Sequence, residues 1–318
     1  MINKNILEPI VYNSFYDFCE KVFYEAKIPK YNHKFSPKKY TNYYIIFLLV
    51  LKTQLKVSYR RLIDIVKYQR INRSIAYRFI PHYTTLQKAS KRLDKNTFKN
   101  ILFATLKVAK KYSGKLVIDG TGFSTINPSY YYMNRINAPK VKSFIKTSII
   151  VDKETKLIIN GDAHAKNQHD NLDFQPLFNE VLLLHNNILE ILADKGYDST
   201  KNFEFAKKHS IEIHIPIRNY PQAARGYNTI SKPKPLIRKK ALLSFDKKKY
   251  NKRSIVESIN SAIKRKYSSY VLSRLPIQQE KEVILKLITY NLDRIISNFL
   301  NCLKKIIRVF YTALLMKN

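Results

Sequence analysis

Up to about Tyr112 the apolar residues recur at three- and four-residue spacing, most clearly in "NYYIIFLLVLKTQLKVSYRRLIDIVKY", and strand signals are few. That period predicts a helical region over residues 1–112. Within it "SYRRLIDIVK", a polar connection and "PHYTTLQKASKRL" read as two helices joined by a turn, with Thr84 or Thr85 capping the second. The exposed face of that second helix carries Gln87, Lys88, Lys91 and Arg92. Such a pair can set its second helix in a DNA major groove, although an ordinary hairpin with a solvated basic face has the same pattern.

From Lys115 the period changes to that of strands. "KLVIDGTG" is a short apolar run ending at an acid and two glycines, and "SFIKTSIIVD" with "KLIINGDAH" reads as a hairpin turning at "DKETK". In "DFQPLFNEVLLL" one helical stripe holds Phe174, Leu177, Phe178, Val181 and Leu182. "ILEILADKGYD" is a buried strand that stops at Asp194, "STKNFEFAKKH" a helix capped by Asp198 or Ser199, and "IEIHIPI" a further strand. Strands first, then alternating helix and strand, predict an α/β fold: a mixed sheet with helices on its faces over residues 113–275. The stretch "NYPQAARGYNTISKPKPLIRKK" lacks periodicity and reads as a loop. A basic helix, "YNKRSIVESINSAIKRK", follows it, and a long amphipathic helix begins at Gln278 within a C-terminal helical extension, 276–318.

Charge narrows the class of partner. Lys and Arg number 58 against 23 Asp and Glu, a formal charge of +35 on 318 residues, so the surface repels itself unless a polyanion neutralises it. Compositional drift towards Lys, Asn, Ile and Tyr accounts for part of the excess but not for so few carboxylates. Nucleic acid is the partner this balance favours. Cys19 and Cys302 stand far apart with no paired spacing, which argues against a disulfide framework or a zinc site and suits a reducing cytoplasm. The apolar runs "YYIIFLLVL" and "VFYTALLM" are too short to span a bilayer, so no membrane partner is expected. Gly120 and Gly122 are wrongly spaced for a nucleotide-phosphate loop.

Three acids stand out by position: Asp119 and Asp194 end strands, and Glu257 lies on the basic helix. Strand ends of an open sheet form the crevice where ligands sit. Carboxylates brought together there repel one another unless a cation separates them, and hard oxygen ligands suit Mg²⁺ or Mn²⁺. Two such ions roughly 4 Å apart would serve phosphoryl transfer on DNA. At about 100° per residue, Tyr250, Arg253, Glu257 and Lys264 fall within roughly 60° of one another on the basic helix and share one face. From that stretch alone, a solvated helix whose glutamate makes an i,i+4 pair is an equal reading.

"YNKRSIVESINSAIKRK" fits the Tyr-x2-Arg-x3-Glu-x6-Lys signature of the DDE transposases of bacterial and archaeal insertion sequences. "LVIDGTG" and "ILADKGYDS" resemble that family's two aspartate segments, "HDNLDFQPLF" its His-Asp segment, and "IPHYTTLQKASKRL" its N-terminal helical region. The resemblance runs from about Ile80 to Lys264. It implies a ribonuclease H-like core and a metal-binding catalytic triad of Asp119, Asp194 and Glu257, with Tyr250, Arg253 and Lys264 on transposon-end phosphates. It also implies double-stranded DNA as partner, both terminal inverted repeats and target, and a homodimer or larger assembly to handle two ends. The competing readings are a DNA-binding protein without catalysis, such as a decayed copy or a repressor, and a metal-dependent nuclease that cuts but never joins. Among other polar residues, Asp198 reads as a helix cap, the cluster of Asp162, His164, His169 and Asp170 as a satisfied loop group or a support of the site, and Tyr130, Tyr131 and Tyr132 as surface packing or base-stacking rings.

Overall fold

The computed structural model describes residues 4–35, 37–125, 144–165, 169–185, 187–218 and 236–315. The chain divides into two compact units, one of Met1–Lys110 with Leu285–Asn318 and one of Lys111–Ile284.

The first unit is helical. After α1 (Lys4–Glu25) comes α2 (Asn42–Leu55), in which every residue from Tyr44 to Thr53 is buried, as its uninterrupted apolar run requires. Thr41 caps it by accepting from Tyr44 N at 3.1 Å, and the same hydroxyl lies 2.5 Å from the Tyr77 hydroxyl, whose ring stacks on Tyr44 at 4.0 Å. Ser58 caps α3 (Tyr59–Tyr68), which buries Leu62, Ile63 and Val66. The expected polar connection contains a short helix, α4 (Ile71–Ser74), because Ile71 and Ile75 are apolar anchors that bury within it. Helix α5 (Tyr83–Arg92) starts earlier than Thr84 or Thr85 allows: His82 is its N-cap and makes no side-chain cap bond. The His82 ring instead holds the Thr84 hydroxyl at 2.8 Å. The Arg60 guanidinium lies 4.8 Å from the Tyr83 ring centre and ties α3 to α5. Asp94 caps α6 (Lys95–Ala109), and inside this unit Thr105 Oγ1 accepts from the buried Asn291 amide at 2.9 Å.

The second unit is built on a mixed sheet. Strand β1 (Lys115–Thr125) pairs antiparallel with β2 (Phe144–Asp152) over nine consecutive positions, Leu116 with Asp152 through Ser124 with Phe144. Strand β2 pairs antiparallel with β3 (Ile158–His164). Helix α7 (Asn171–Leu184) then buries Phe174, Leu177, Phe178 and Val181, while Leu182 on the expected stripe is only half-buried. Strand β4 (Glu190–Ala193) lies parallel to β1, and after α8 (Thr200–Lys208) strand β5 (Glu212–His214) lies parallel to β4. The resulting order is β3-β2-β1-β4-β5. An antiparallel three-strand meander with parallel strands added beside its first strand is the ribonuclease H-like arrangement.

Helix α9 (Leu236–Leu243) occupies the end of the expected loop, whose residues 219–235 lie outside the described residues, as do Tyr130, Tyr131 and Tyr132. There follow α10 (Lys247–Asn251), α11 (Ser254–Tyr267), the short β6 (Tyr270–Val271) and α12 (Pro276–Leu315). Strand β6 pairs with the far end of β1, at Ser124 and Thr125. On that side of β1, residues 119–123 therefore lie between the last β4 pair, at Ile118, and the first β6 pair, with no strand beside them among the described residues.

Candidate active site

Asp119 lies in the notch beside β1, shares a cleft with Glu257, and feels the charges of both Glu257 and Asp194. The last parallel pair, Ile118 with Ala193, is followed on each strand directly by an aspartate, Asp119 and Asp194. Neighbouring strands lie about 4.8 Å apart and paired residues share a face, so this register sets the two carboxylates side by side. Helix α11 buries Val256, Ile259, Asn260, Ile263 and Tyr267, which turns Glu257, Ser261 and Lys264 towards an open cleft of about 480 Å³ whose floor is Asp119, Gly120 and Thr121.

Arg253 joins these groups. Its guanidinium donates to Glu257 Oε1 at 2.5 Å and lies 3.7 Å from Asp119 Oδ1. Its guanidinium also sits 5.8 Å from the centre of the Tyr250 ring. Burial lowers its affinity for the proton, but the surrounding Tyr250, Glu257, Asp119 and Asp194 outweigh that and hold it charged. Asp119 shows the opposite balance. Burial pushes its carboxyl up to about 6 against the lowering effect of Arg253 and the Gly120 amide, and Glu257 and Asp194 add to the rise. The Lys264 ammonium lies 5.7 Å from the centre of the Phe123 ring, and burial holds its pKa down against the attraction of Asp119.

Asp194 accepts from Lys195 N at 2.7 Å and opens a single 3₁₀ turn, Lys195–Tyr197. Asp198, read from the sequence as a helix cap, has a different task. It accepts from Arg238 through both oxygens and from Arg218 N at 2.8 Å, and its side chain is 1% exposed. Ser199 is the N-cap of α8 and makes no side-chain cap bond.

Tyr250 is not on the helix of Glu257. Asp246 captures the amides of Lys248 and Lys249 and so starts α10 on its own, and α11 starts afresh after Arg253, its N-cap residue. The four-residue stripe expected on one helix is therefore two helices in sequence, with Arg253 N donating to Tyr250 O at 2.8 Å across the junction. Lys88, Lys91 and Arg92 are exposed on α5 of the helical unit.

The His-Asp cluster resolves into two separate pairs. Buried Lys146 on β2 meets Asp170 at 2.7 Å, and a Cβ on Gly120 would come within 2.8 Å of Asp170 Oδ1, so a larger residue there would push the Asp170 carboxylate aside. His164 and Ser148 both donate to Asp173. No signal along the chain marked Lys146 or Asn260; the cross-strand register and the helix face bring them in. Among the described residues, the group of three acids and histidines whose ligand atoms all lie within 4.8 Å of one another is not Asp119, Asp194 and Glu257 but Glu190, Glu212 and His214, at the start of β4, away from the strand end that bears Asp194. Its glutamates already hold Lys153 and Lys249, which makes it an ion-pair cluster.

The class is that of a ribonuclease H-like core with Asp119 midway along β1 and Asp194 directly after β4. Residues 113–292 match the family described as transposase DDE domain, and the chain belongs to that family. Among solved structures it is similar to a piggyBac transposase in a synaptic complex with hairpin DNA, at 13% identity and a TM-score of 0.46, over 91% of this chain and 75% of that one. No curated protein sequence matches it. Among the described residues no helix is long and apolar enough to cross a membrane.

Proposed function

We propose that the chain is the transposase of an insertion sequence, cutting DNA at the element's ends and joining the freed 3′-hydroxyls to target DNA. The observation that supports this reading is that Asp119 and Asp194 each directly follow the last pair of β1 with β4, while Asp119 and Glu257 line one cleft. The donor set is three carboxylates, the chemistry preferred by Mg²⁺ or Mn²⁺, and a half-buried Asp119 whose ionisation is held back has an electrostatic need that a cation would meet. When bound, a pair of such ions would activate the attacking oxygen and stabilise the leaving oxygen of a phosphodiester.

The chain's own residues do the rest. Asp119, Asp194 and Glu257 hold the ions. Arg253 supplies the counter-charge between Asp119 and Glu257 and, with Tyr250 and Lys264, grips the phosphates of the end being cut. Exposed Lys88, Lys91 and Arg92 on α5 add contacts to end DNA in a helical DNA-binding region, residues 1–112, ahead of the core at 113–275 and the extension at 276–318. Two copies or more bring two ends together, in the cytoplasm where the DNA lies.

Asp119→Asn, Asp194→Asn and Glu257→Gln are each expected to lower Mg²⁺-dependent cleavage of end DNA by about 10²-fold or more. End binding should persist, because affinity comes from phosphate contacts elsewhere. Full cleavage by any of the three overturns the assignment. Cleavage by the wild-type chain with no joined product in a strand-transfer assay makes it a nuclease instead.

A further inference from the structure

One side chain of the cleft, outside the Tyr-Arg-Glu-Lys signature, touches Asp119 directly. Asn260 stands three residues after Glu257 on α11 and lines the same cleft, yet only 7% of it is exposed. Its Nδ2 donates to Asp119 Oδ2 at 3.2 Å. Its Oδ1 is buried with no hydrogen-bond partner among the described residues. A buried acceptor left unmet is destabilising, and such helix positions are ordinarily apolar, so packing does not account for the amide.

The chemistry of the alternatives says what does. Lysine or arginine here would also donate to Asp119 but would cancel its charge. Aspartate would repel it, and leucine would leave that oxygen without a donor. An amide is the neutral donor: it orients the carboxylate and leaves its full charge for a cation.

We propose that Asn260 is a positioning residue of the cation site, pinning Asp119 Oδ2 against α11 so that the aspartate presents its charge towards Asp194 and Glu257. This rests on the transposase reading, which is what puts a divalent cation in the cleft. Hydrogen bonds that orient a ligating carboxylate commonly matter to metal affinity almost as much as the ligands do.

The test uses the full chain without DNA and reads Mn²⁺ binding by titration calorimetry, with free Mn²⁺ followed by its paramagnetic resonance signal. Asn260→Leu has similar volume and removes the donor and the orphan acceptor together, so its thermal midpoint should match or exceed that of the wild type. Its Mn²⁺ affinity should fall by about tenfold, the lower end of what such supporting contacts contribute. If the leucine variant fails to fold, Asn260→Ser, too short to reach Asp119, carries the same expectation. Mn²⁺ binding equal to wild type in the folded variant, while Asp119→Asn abolishes it, overturns the role of Asn260 and leaves the metal reading standing. Wild-type Mn²⁺ binding that survives Asp119→Asn overturns the metal reading and this inference with it.

Discussion

Two groups of acids in the sheet unit differ in how many donors each carboxylate meets. Asp152, fully buried at the hairpin turn, accepts from Ser113 N and Oγ and from the amides of Glu154 and Thr155, at 2.6 to 2.9 Å. Asp198 has a bidentate arginine, and Asp173 has Ser148 and His164. The cleft acids have weaker support: Asp119 has the Asn260 amide at 3.2 Å, the Gly120 backbone amide and a guanidinium at 3.7 Å, Asp194 accepts from the Lys195 backbone N–H, and Glu257 accepts from Arg253 on the exposed side of the cleft. The consequence is a difference of sign. Burial raises the affinity of Asp173 for a proton, but its hydrogen bonds to His164 and Ser148 outweigh burial and hold the carboxyl below the ordinary range. At Asp119 burial wins. A carboxylate saturated by its own fold is structural, and one left short of donors is kept for something that arrives.

The comparison can be broken most forcefully at Asp198. Asp198→Asn leaves Arg238 facing an amide inside a closed pair and should cost about 3–5 kcal/mol in urea unfolding, whereas Asp194→Asn, four residues earlier, should change stability by about 0.5 kcal/mol or less. Equal effects would erase the distinction between the groups. Next is Asp173→Asn, expected to cost about 1–3 kcal/mol at pH 7. Because the folded pKa of Asp173 lies below its unfolded value, its contribution is present above about pH 4 and is lost as pH falls through the folded value. The gap between wild type and variant should therefore narrow between pH 7 and pH 3, and a constant gap would show that the carboxylate's charge is not what matters. The smallest effect is at Arg253, which stands between Asp119 and Glu257 where the cleft needs positive charge. Arg253→Gln should tighten Mn²⁺ binding by the DNA-free chain by up to about fivefold, the worth of a partly exposed ion pair, while weakening end binding. Both affinities moving the same way would sink the idea that arginine and cation share one place.

The meander β1-β2-β3 was legible in the sequence because apolar runs were separated by a charged turn, and Asp194 directly follows its strand as expected; Asp119, expected to end its strand, instead lies midway along β1, because the polar stretch to Thr125 keeps pairing with β2. The break between α10 and α11 was not legible. No Gly or Pro marks it; the polar run Asn251–Ser254 is compatible with an exposed helix face, and Asp246, which captures two amides, fixes only where α10 starts. Helix α5 hid its start in the same way, since two threonines advertised a cap that the His82 backbone takes. Asn260 was invisible for another reason: an amide on the buried stripe of a helix looks like packing until the carboxylate opposite is known. Lys146 and Asp170 lie 24 positions apart in the chain, and only strand register and the start of α7 bring them together.

The nine unbroken pairs between β1 and β2 have a consequence for how such a chain can change over generations. Asp119 is anchored from the hairpin side alone, in mid-ladder, with four registered pairs ahead of Ser148–Gly120 and its neighbours on towards Ser124. Segment 126–143, which links the two strands, can therefore gain or lose residues without shifting the aspartate. Variation can accumulate there while the place of Asp119 in the ladder stays fixed.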